Sequence, residues 1–236
     1  MNKKKNPVLS RAASYLLALV MVAGCAASTP PTLDTSSEAE ATFDGLYPIK
    51  GGAADAAWAR PGVDISKYTK IRLQGVGIEY RPGGESGRLY TNRTNADHFE
   101  VTEGQRAKFE ELMRETIREE LARSERFTLV EENGPDVLLI LGGLLDVVSF
   151  VPPDPAGRSN VYLSRVGEAT LVLEIRDSIT QATLVRAIDR RAAERSSGDF
   201  SHSNSATNRA EVRRMASFWA RRLRTRLDEL ASQPQQ

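Results

Sequence analysis

The sequence predicts an α+β domain in which two amphipathic helices pack on one face of a mostly antiparallel sheet. Three observations lead to this prediction: two stretches with apolar residues at helical spacing, several shorter stretches with alternating apolar residues, and the order strand, helix, strands, helix. The 236 residues have an ordinary globular composition, with 40% hydrophobic and 27% charged residues. We expect a single globular domain over residues 46–236.

The first strand is predicted to contain a bulge. Ile71 and Leu73 alternate in one phase, whereas the next apolar residues, up to Tyr80, alternate in the other, with Gly75 and Gly77 in between. One extra residue reverses the face that side chains occupy, and glycine tolerates the backbone that a bulge requires. The glycine-rich segment 82–87 then ends the strand as a turn.

Both helices are predicted from capping signals and apolar stripes. Thr102 and Gln105 form a capping box for the first helix, which continues to about Arg123. Asn208 and Glu211 form a similar pair before the last helix. The two stripes are Phe109, Leu112, Met113, Ile117 and Leu121, and Val212, Met215, Trp219, Leu223, Leu227 and Leu230. We expect Trp219 to be a core residue.

The remaining strands lie between the helices. Residues 127–131 form a short strand, and residues 169–176 and 184–192 form a hairpin. The run 137–145 is apolar in both phases, which indicates a strand covered on both faces. The two helices cover only one face of this strand, so another group must cover its second face. We favour the segment carrying Phe43, Leu46, Tyr47 and Trp58; a second copy and a bound acyl chain are the alternatives.

The N-terminus predicts export and lipid attachment. Four basic residues precede an apolar stretch, 12–23, that is shorter than the roughly 20 residues that span a bilayer. Val22-Ala23-Gly24-Cys25 resembles the lipobox of bacterial lipoproteins, with cleavage between Gly24 and Cys25. Cys25 is the only cysteine, so it is the predicted site of lipid attachment, including palmitate. The alternative is a soluble secreted protein with a buried cysteine.

These features divide the chain into a signal peptide over residues 1–24, a flexible tether over 25–45 and the folded domain. Removal of the signal peptide leaves 28 basic and 31 acidic residues, a net charge of −3. Ala26, rather than Asp, follows the cysteine, which favours the outer membrane. We expect a lipid-anchored protein that faces the periplasm and has no nucleic-acid partner.

We predict no catalytic residue, cofactor or metal site. Asp97-His98-x-Glu100 has no second histidine at helical spacing, and His202 lies in a separate loop. No serine lies in a Gly-x-Ser-x-Gly motif, and the glycine-rich segment lacks the Lys-Ser/Thr pair of a phosphate loop. We therefore expect a protein that is not an enzyme.

The last helix is locally basic, with seven arginines and only three acids between residues 209 and 229. One interpretation is contact with anionic head groups or an acidic partner. The other, which we favour, is a solvated helix whose arginines pair with acids of the first helix. The candidates for anionic contact are Arg213, Arg214, Arg221 and Arg222.

Four segments together resemble a family of bacterial lipoproteins known only as domain of unknown function 3313. They are Pro61-Gly62-x-Asp64-x-Ser66-Lys67-Tyr68, Gly134-Pro135-Asp136-Val137-Leu138, Asp177-Ser178-x-Thr180 with Leu184, and Trp219-Ala220-x-x-Leu223. The resemblance covers most of the mature chain, although Gln181 stands where the family usually has glycine. It implies a lipoprotein with no assigned reaction and adds no catalytic residue.

Two function classes follow from these observations. The first is an outer-membrane-anchored, non-catalytic binding or scaffolding component that binds an envelope protein in the periplasm. The alternative is a lipid or glycan carrier in which an apolar face of the sheet lines a groove. An envelope hydrolase ranks third, and the sequence leaves the oligomeric state open.

Overall fold

The structure is a computed structural model, and it describes residues 31–82, 98–152, 160–195 and 199–232. Gly24 and Cys25 lie outside these ranges, as do the glycine-rich turn and Asp97. Two helices are formed within the described residues, α1 (Glu103–Leu121) and α2 (Ser205–Ser232). The described strands are β1 (Thr32–Leu33), β2 (Tyr47–Lys50), β3 (Ala56–Ala59), β4 (Lys70–Tyr80), β5 (Thr128–Val130), β6 (Val137–Ser149), β7 (Tyr162–Leu163), β8 (Arg165–Asp177), β9 (Thr183–Glu194) and β10 (Ser201–His202).

Eight of the described strands form one sheet in the order β1-β2-β3-β9-β8-β6-β4-β5, and β7 pairs separately with β10. Neighbouring strands are antiparallel except at β4, which is parallel to both β5 and β6. α1 connects β4 to β5, because two parallel neighbours require a crossover connection. The predicted α+β class is confirmed, with a sheet that is mostly antiparallel and mixed at one edge.

Several local predictions are confirmed. The pairing of β4 with β6 shifts register between Gly75 and Gly77, as expected for a bulge. The side chain of Thr102 accepts a hydrogen bond from Gln105 N, and the Gln105 side chain accepts one from Thr102 N. Gln181 has a φ of +59°, so it occupies the left-handed conformation that glycine adopts most readily.

Both helices cover the same face of the sheet. Leu138 and Ile140 of β6 pack in one cluster with Leu227 of α2. Leu144 of the same strand packs with Met113 of α1 and with α2. Because side chains alternate along a strand, these residues define one face of β6, which we call the helix face.

The opposite face of β6 is covered in a way that the sequence did not indicate. Leu139 and Leu141 are buried there. The register puts Arg72 and Arg176 beside Leu139, and the aliphatic parts of such long side chains cover apolar surface. The predicted fold-back cover is therefore wrong: β2 and β3 extend the sheet beyond β9, and Phe43 is 97% exposed.

Part of the segment predicted as a tether over residues 25–45, namely residues 31–45, contacts the sheet. Thr32 and Leu33 pair with β2, and Arg186 Nη2 lies 2.7 Å from Asp44 Oδ2. Leu46, at the end of this segment, is fully buried. Backbone pairing and an ion pair therefore hold residues 31–45 against the sheet. The sequence predicted a flexible tether here because the segment has few apolar residues.

The start of α2 also differs from the prediction. The side-chain oxygen of Asn204 accepts hydrogen bonds from the backbone N–H groups of Ala206 and Thr207, at 3.0 and 2.9 Å. The helix therefore begins at Ser205, ahead of the predicted cap at Asn208, whose side chain donates to Ser203 instead. Asparagine at either position is a favourable cap, so the sequence did not distinguish them.

Candidate functional site: an apolar cavity beneath the first helix

The helix face of the sheet lacks side chains at one point, where two glycines meet. Gly75 of β4 lies opposite Gly142 of β6 in the parallel register. A Cβ atom added to either residue would meet no neighbouring atom within 4 Å. The sheet is therefore open toward the helices at this point, directly below α1.

The space above these glycines is a cavity of about 630 Å³, which we call the α1 cavity. α1 packs mainly along α2, and its side chains, such as Met113, reach the helix face of the sheet beside this space. The volume lies within the range of about 300–1,000 Å³ that is usual for sites that bind small molecules.

The walls of the α1 cavity are mostly apolar. α1 contributes Met113 and Ile117, and α2 contributes Trp219, Ala220 and Leu223. The strands contribute Leu73, Ile78, Ile140, Leu144, Leu171 and Leu173. A lining of this kind favours an apolar ligand, because a polar group entering it would lose its hydrogen bonds to water.

Trp219 forms a fixed part of this wall. It is 6% exposed, which confirms the predicted core position. Its indole Nε1 donates a hydrogen bond of 2.7 Å to Oδ2 of Asp189 in β9. Because the polar edge of the ring is occupied by this bond, the apolar ring surface remains for the cavity.

Charged residues lie only at the mouth of the cavity. Arg114 donates to Glu110 along α1 at 2.8 Å, and Arg118 donates to Glu131, just after β5, at 2.5 Å. The hydrogen bond from Arg118 lowers the pKa of Glu131 below its usual value. Both pairs are well exposed, so each contributes little to stability and can separate when a ligand enters.

The structure does not bring the four predicted arginines together. Arg213 pairs with Glu119 of α1, and Arg221 Nε lies 3.8 Å from a carboxylate oxygen of Glu120, as the interpretation of a paired helix expected. Arg222 lies over the ring of Phe218. Arg214 pairs within α2 with Glu211, which is buried.

The structure also gives partners for the two histidines. His98 Nε2 lies 2.7 Å from the carbonyl oxygen of Pro82, and His202 Nε2 lies 3.2 Å from Asn160 Oδ1. Among the described residues, no group of three or more His, Cys, Asp or Glu side chains could hold a metal ion. In the same part of the chain, no helix has the length and apolar character needed to span a membrane.

Sequence reasoning missed the α1 cavity. The sequence pattern indicates a bulge near Gly75 and an apolar run that includes Gly142. The signal that could have indicated a cavity is the register between β4 and β6, because it brings these two glycines side by side.

Comparison with known proteins identifies one matching family and several solved structures with low similarity to this chain. The family model described as a protein of unknown function, DUF3313, matches residues 35–223. No curated protein matches the chain. Similar solved structures include protein XCC0632 from Xanthomonas campestris, with 13% identity, a TM-score of 0.41 and coverage of 73% of this chain and 90% of that chain.

Two further structures show weaker likeness. A PelC dodecamer from Paraburkholderia phytofirmans has 13% identity and a TM-score of 0.35, with coverage of 75% of this chain and 98% of that chain. A putative neuraminyllactose-binding hemagglutinin homolog from Helicobacter pylori has 9% identity and a TM-score of 0.35, with coverage of 70% and 90%.

Proposed function

The chain belongs to the DUF3313 family of proteins of unknown function, and from this premise we propose that it is a lipid-anchored envelope protein that binds an acyl chain in the α1 cavity. It acts by binding and not by catalysis, and it faces the periplasm from the outer membrane. The observation that carries the proposal is the apolar cavity of about 630 Å³ above Gly75 and Gly142.

The chemistry of the walls supports a lipid over a glycan. A sugar carries hydroxyl groups that each need a partner when buried, and an unpaired buried hydroxyl is unfavourable by about 1–3 kcal/mol. The N–H group of Trp219 is already bonded to Asp189, and the charged residues lie only at the mouth. An acyl chain needs no partner in the interior.

The expected strength of binding follows from the apolar surface. Each buried methylene contributes about 0.8 kcal/mol, so a chain that buries about ten of them gains roughly 8 kcal/mol before the entropy of association is subtracted. Either ion pair at the mouth could contact a polar head group, since Arg114 and Arg118 carry donors and Glu110 and Glu131 carry acceptors.

The predicted anchor puts the domain close to a source of lipid. Six peptide units separate Cys25 from residue 31, where the described chain begins, and they span at most about 20 Å. If Cys25 carries the lipid, the β1 edge of the sheet lies within that distance of the membrane surface.

Native mass spectrometry of the full-length protein, released from maltoside detergent, tests this function. We expect a non-covalent lipid adduct that disappears when the protein is denatured, whereas lipid attached to Cys25 remains. Identification of the released molecule gives its head group and chain length. Protein that carries no adduct, and that takes up none after incubation with phospholipid, would contradict the proposal.

A further inference from the structure

A second, smaller cavity lies between the end of β9 and residues 214–218 of α2. Its volume is about 190 Å³, several times the roughly 30 Å³ that one water molecule occupies in the liquid. Arg191, Arg195 and Arg214 line it together with Glu194, Met215 and Phe218. We call this cavity the arginine pocket.

Among the described residues, three acidic side chains lie beside these three guanidinium groups: Glu194, which lines the pocket, Glu211 and Asp189. Glu211 is only 3% exposed, and its carboxylate is shared: Arg195 Nε lies 3.3 Å from Oε1, and Arg214 donates to Oε2. Arg214 also donates to the carbonyl oxygen of Glu194 at 3.2 Å. Each guanidinium has five N–H donors, so among the described residues the shared carboxylate of Glu211 accepts from only some of the donors of Arg195 and Arg214.

Arg191 has an even less complete set of contacts. Its guanidinium lies 3.5 Å from the ring centroid of Phe218, which fixes its plane. Within the described chain, its buried Nε atom has no hydrogen-bond partner. Oδ2 of Asp189 lies 3.6 Å from Arg191 Nε, so the two residues form an ion pair that is too long for a hydrogen bond. Asp189 also accepts a hydrogen bond from Trp219.

We propose that the arginine pocket binds a phosphate group, as free phosphate or as the head group of a phospholipid. Arginine presents a planar fork of donors that matches phosphate oxygens, and donors on three residues suit a group with three or four oxygens. Arg213 and Arg221 lie outside the pocket, and their acidic partners are on α1. The pocket is separate from the α1 cavity, so this proposal does not depend on acyl-chain binding.

Calorimetric titration tests the proposal on the full-length protein in maltoside micelles, which contain no phosphate. One arm uses inorganic phosphate. The other uses dioctanoyl phosphatidic acid, with dioctanoylglycerol as its counterpart without phosphate. Arg191→Gln and Arg195→Gln each remove one donor group. Arg213→Gln is the control, because it changes the same residue type on α2 outside the pocket.

Arg191→Gln and Arg195→Gln should each weaken phosphate binding by about tenfold or more, whereas Arg213→Gln stays within about twofold of the parent. Arg191→Lys should also bind more weakly, because it retains the charge but loses the fork. Binding of inorganic phosphate supports free phosphate as a source; binding of phosphatidic acid alone, lost in the same variants, supports a lipid head group.

The proposal is overturned if neither probe binds the parent, or if Arg191→Gln and Arg195→Gln bind as tightly as the parent. Thermal melting identifies a variant that fails to fold. If Arg191→Gln fails, Arg195→Gln decides the result, because Arg195 is exposed and lies after the end of β9.

Discussion

The indole Nε1 of Trp219 donates a 2.7 Å hydrogen bond to Oδ2 of Asp189, and both residues are buried. This bond joins α2 to β9 in the core. Trp219 lines the α1 cavity, and Asp189 lies two residues before Arg191 of the arginine pocket. The hydrogen bond between Trp219 and Asp189 therefore helps to position a wall of the α1 cavity and a wall of the arginine pocket.

Loss of this bond should destabilise the protein. Trp219→Phe retains an aromatic ring but leaves the buried carboxylate of Asp189 without its donor, at a cost of about 1–3 kcal/mol. For a domain of this size, each kcal/mol lowers the melting temperature by about 2–4 °C. Trp58→Phe makes the same change at a half-buried site in β3 and should have a smaller effect. Equal melting temperatures for Trp219→Phe and the parent would show that the bond does not stabilise the fold.

Tyr80 and Tyr68 should respond in opposite ways to the loss of the hydroxyl group. Burial raises the pKa of Tyr80 to about 12, and its hydroxyl has no hydrogen-bond partner in the described residues. Tyr80→Phe should therefore leave stability unchanged or raise it by up to about 2 kcal/mol. Tyr68 instead donates to Asp177 Oδ2 at 2.8 Å.

Tyr68→Phe should lower stability by about 1.5–3 kcal/mol, because it removes a hydrogen bond to a charged acceptor. Chemical denaturation of both variants measures the difference. If Tyr80→Phe is the more destabilised of the two, its hydroxyl has a partner and the packing described around it is incorrect.

The ion pairs on the outer face of the sheet should make stability fall in acid. Burial raises the pKa of Glu174, but hydrogen bonds from Arg186 and Arg176 outweigh burial, and the net pKa is lowered. A carboxyl whose pKa is lower in the folded state stabilises the fold above its unfolded pKa of about 4.3, and this contribution is lost as the pH falls through the folded value. When the pH is lowered from 6 to 3, the melting temperature should fall less steeply for Glu174→Gln than for the parent. Parallel curves of melting temperature against pH for the two proteins would contradict this.

The sequence predicted the elements whose signals are local. The capping box of Thr102 and Gln105 depends on four adjacent positions, and the bulge near Gly75 depends on a change of phase within one strand. Trp219 was assigned to the core from helical spacing alone, and it is buried. These features need no knowledge of which strands are neighbours.

The features that were missed depend on tertiary pairing. Leu139 is buried between Arg72 and Arg176 of the flanking strands, and the ion pair of Asp44 with Arg186 joins residues far apart in the chain. The α1 cavity requires both the register of Gly75 with Gly142 and the packing of two helices above these glycines. No periodicity within one segment carries that information.

The predicted lipid attachment at Cys25 is tested by removal of its thiol. Cys25→Ser should abolish incorporation of labelled palmitate and release the protein from the membrane fraction, because Cys25 is the only cysteine. Ser28→Ala, three residues later, is a control that should leave both properties unchanged. Continued palmitate labelling of Cys25→Ser at the level of the parent would show that the lipid is attached elsewhere.

Energy transfer from Trp219 to cis-parinaric acid, a fluorescent fatty acid, tests acyl-chain binding in the α1 cavity most directly. The chain has two tryptophans, so a Trp58→Phe background leaves Trp219 as the only donor. Gly142→Val fills space that is open in the parent, whereas Leu145→Val changes the opposite face of the same strand. The account predicts saturable transfer, weakened by about tenfold or more in Gly142→Val, the equivalent of about 1.4 kcal/mol, and unchanged in Leu145→Val. Absence of transfer, or equal affinity in a folded Gly142→Val protein, would contradict it.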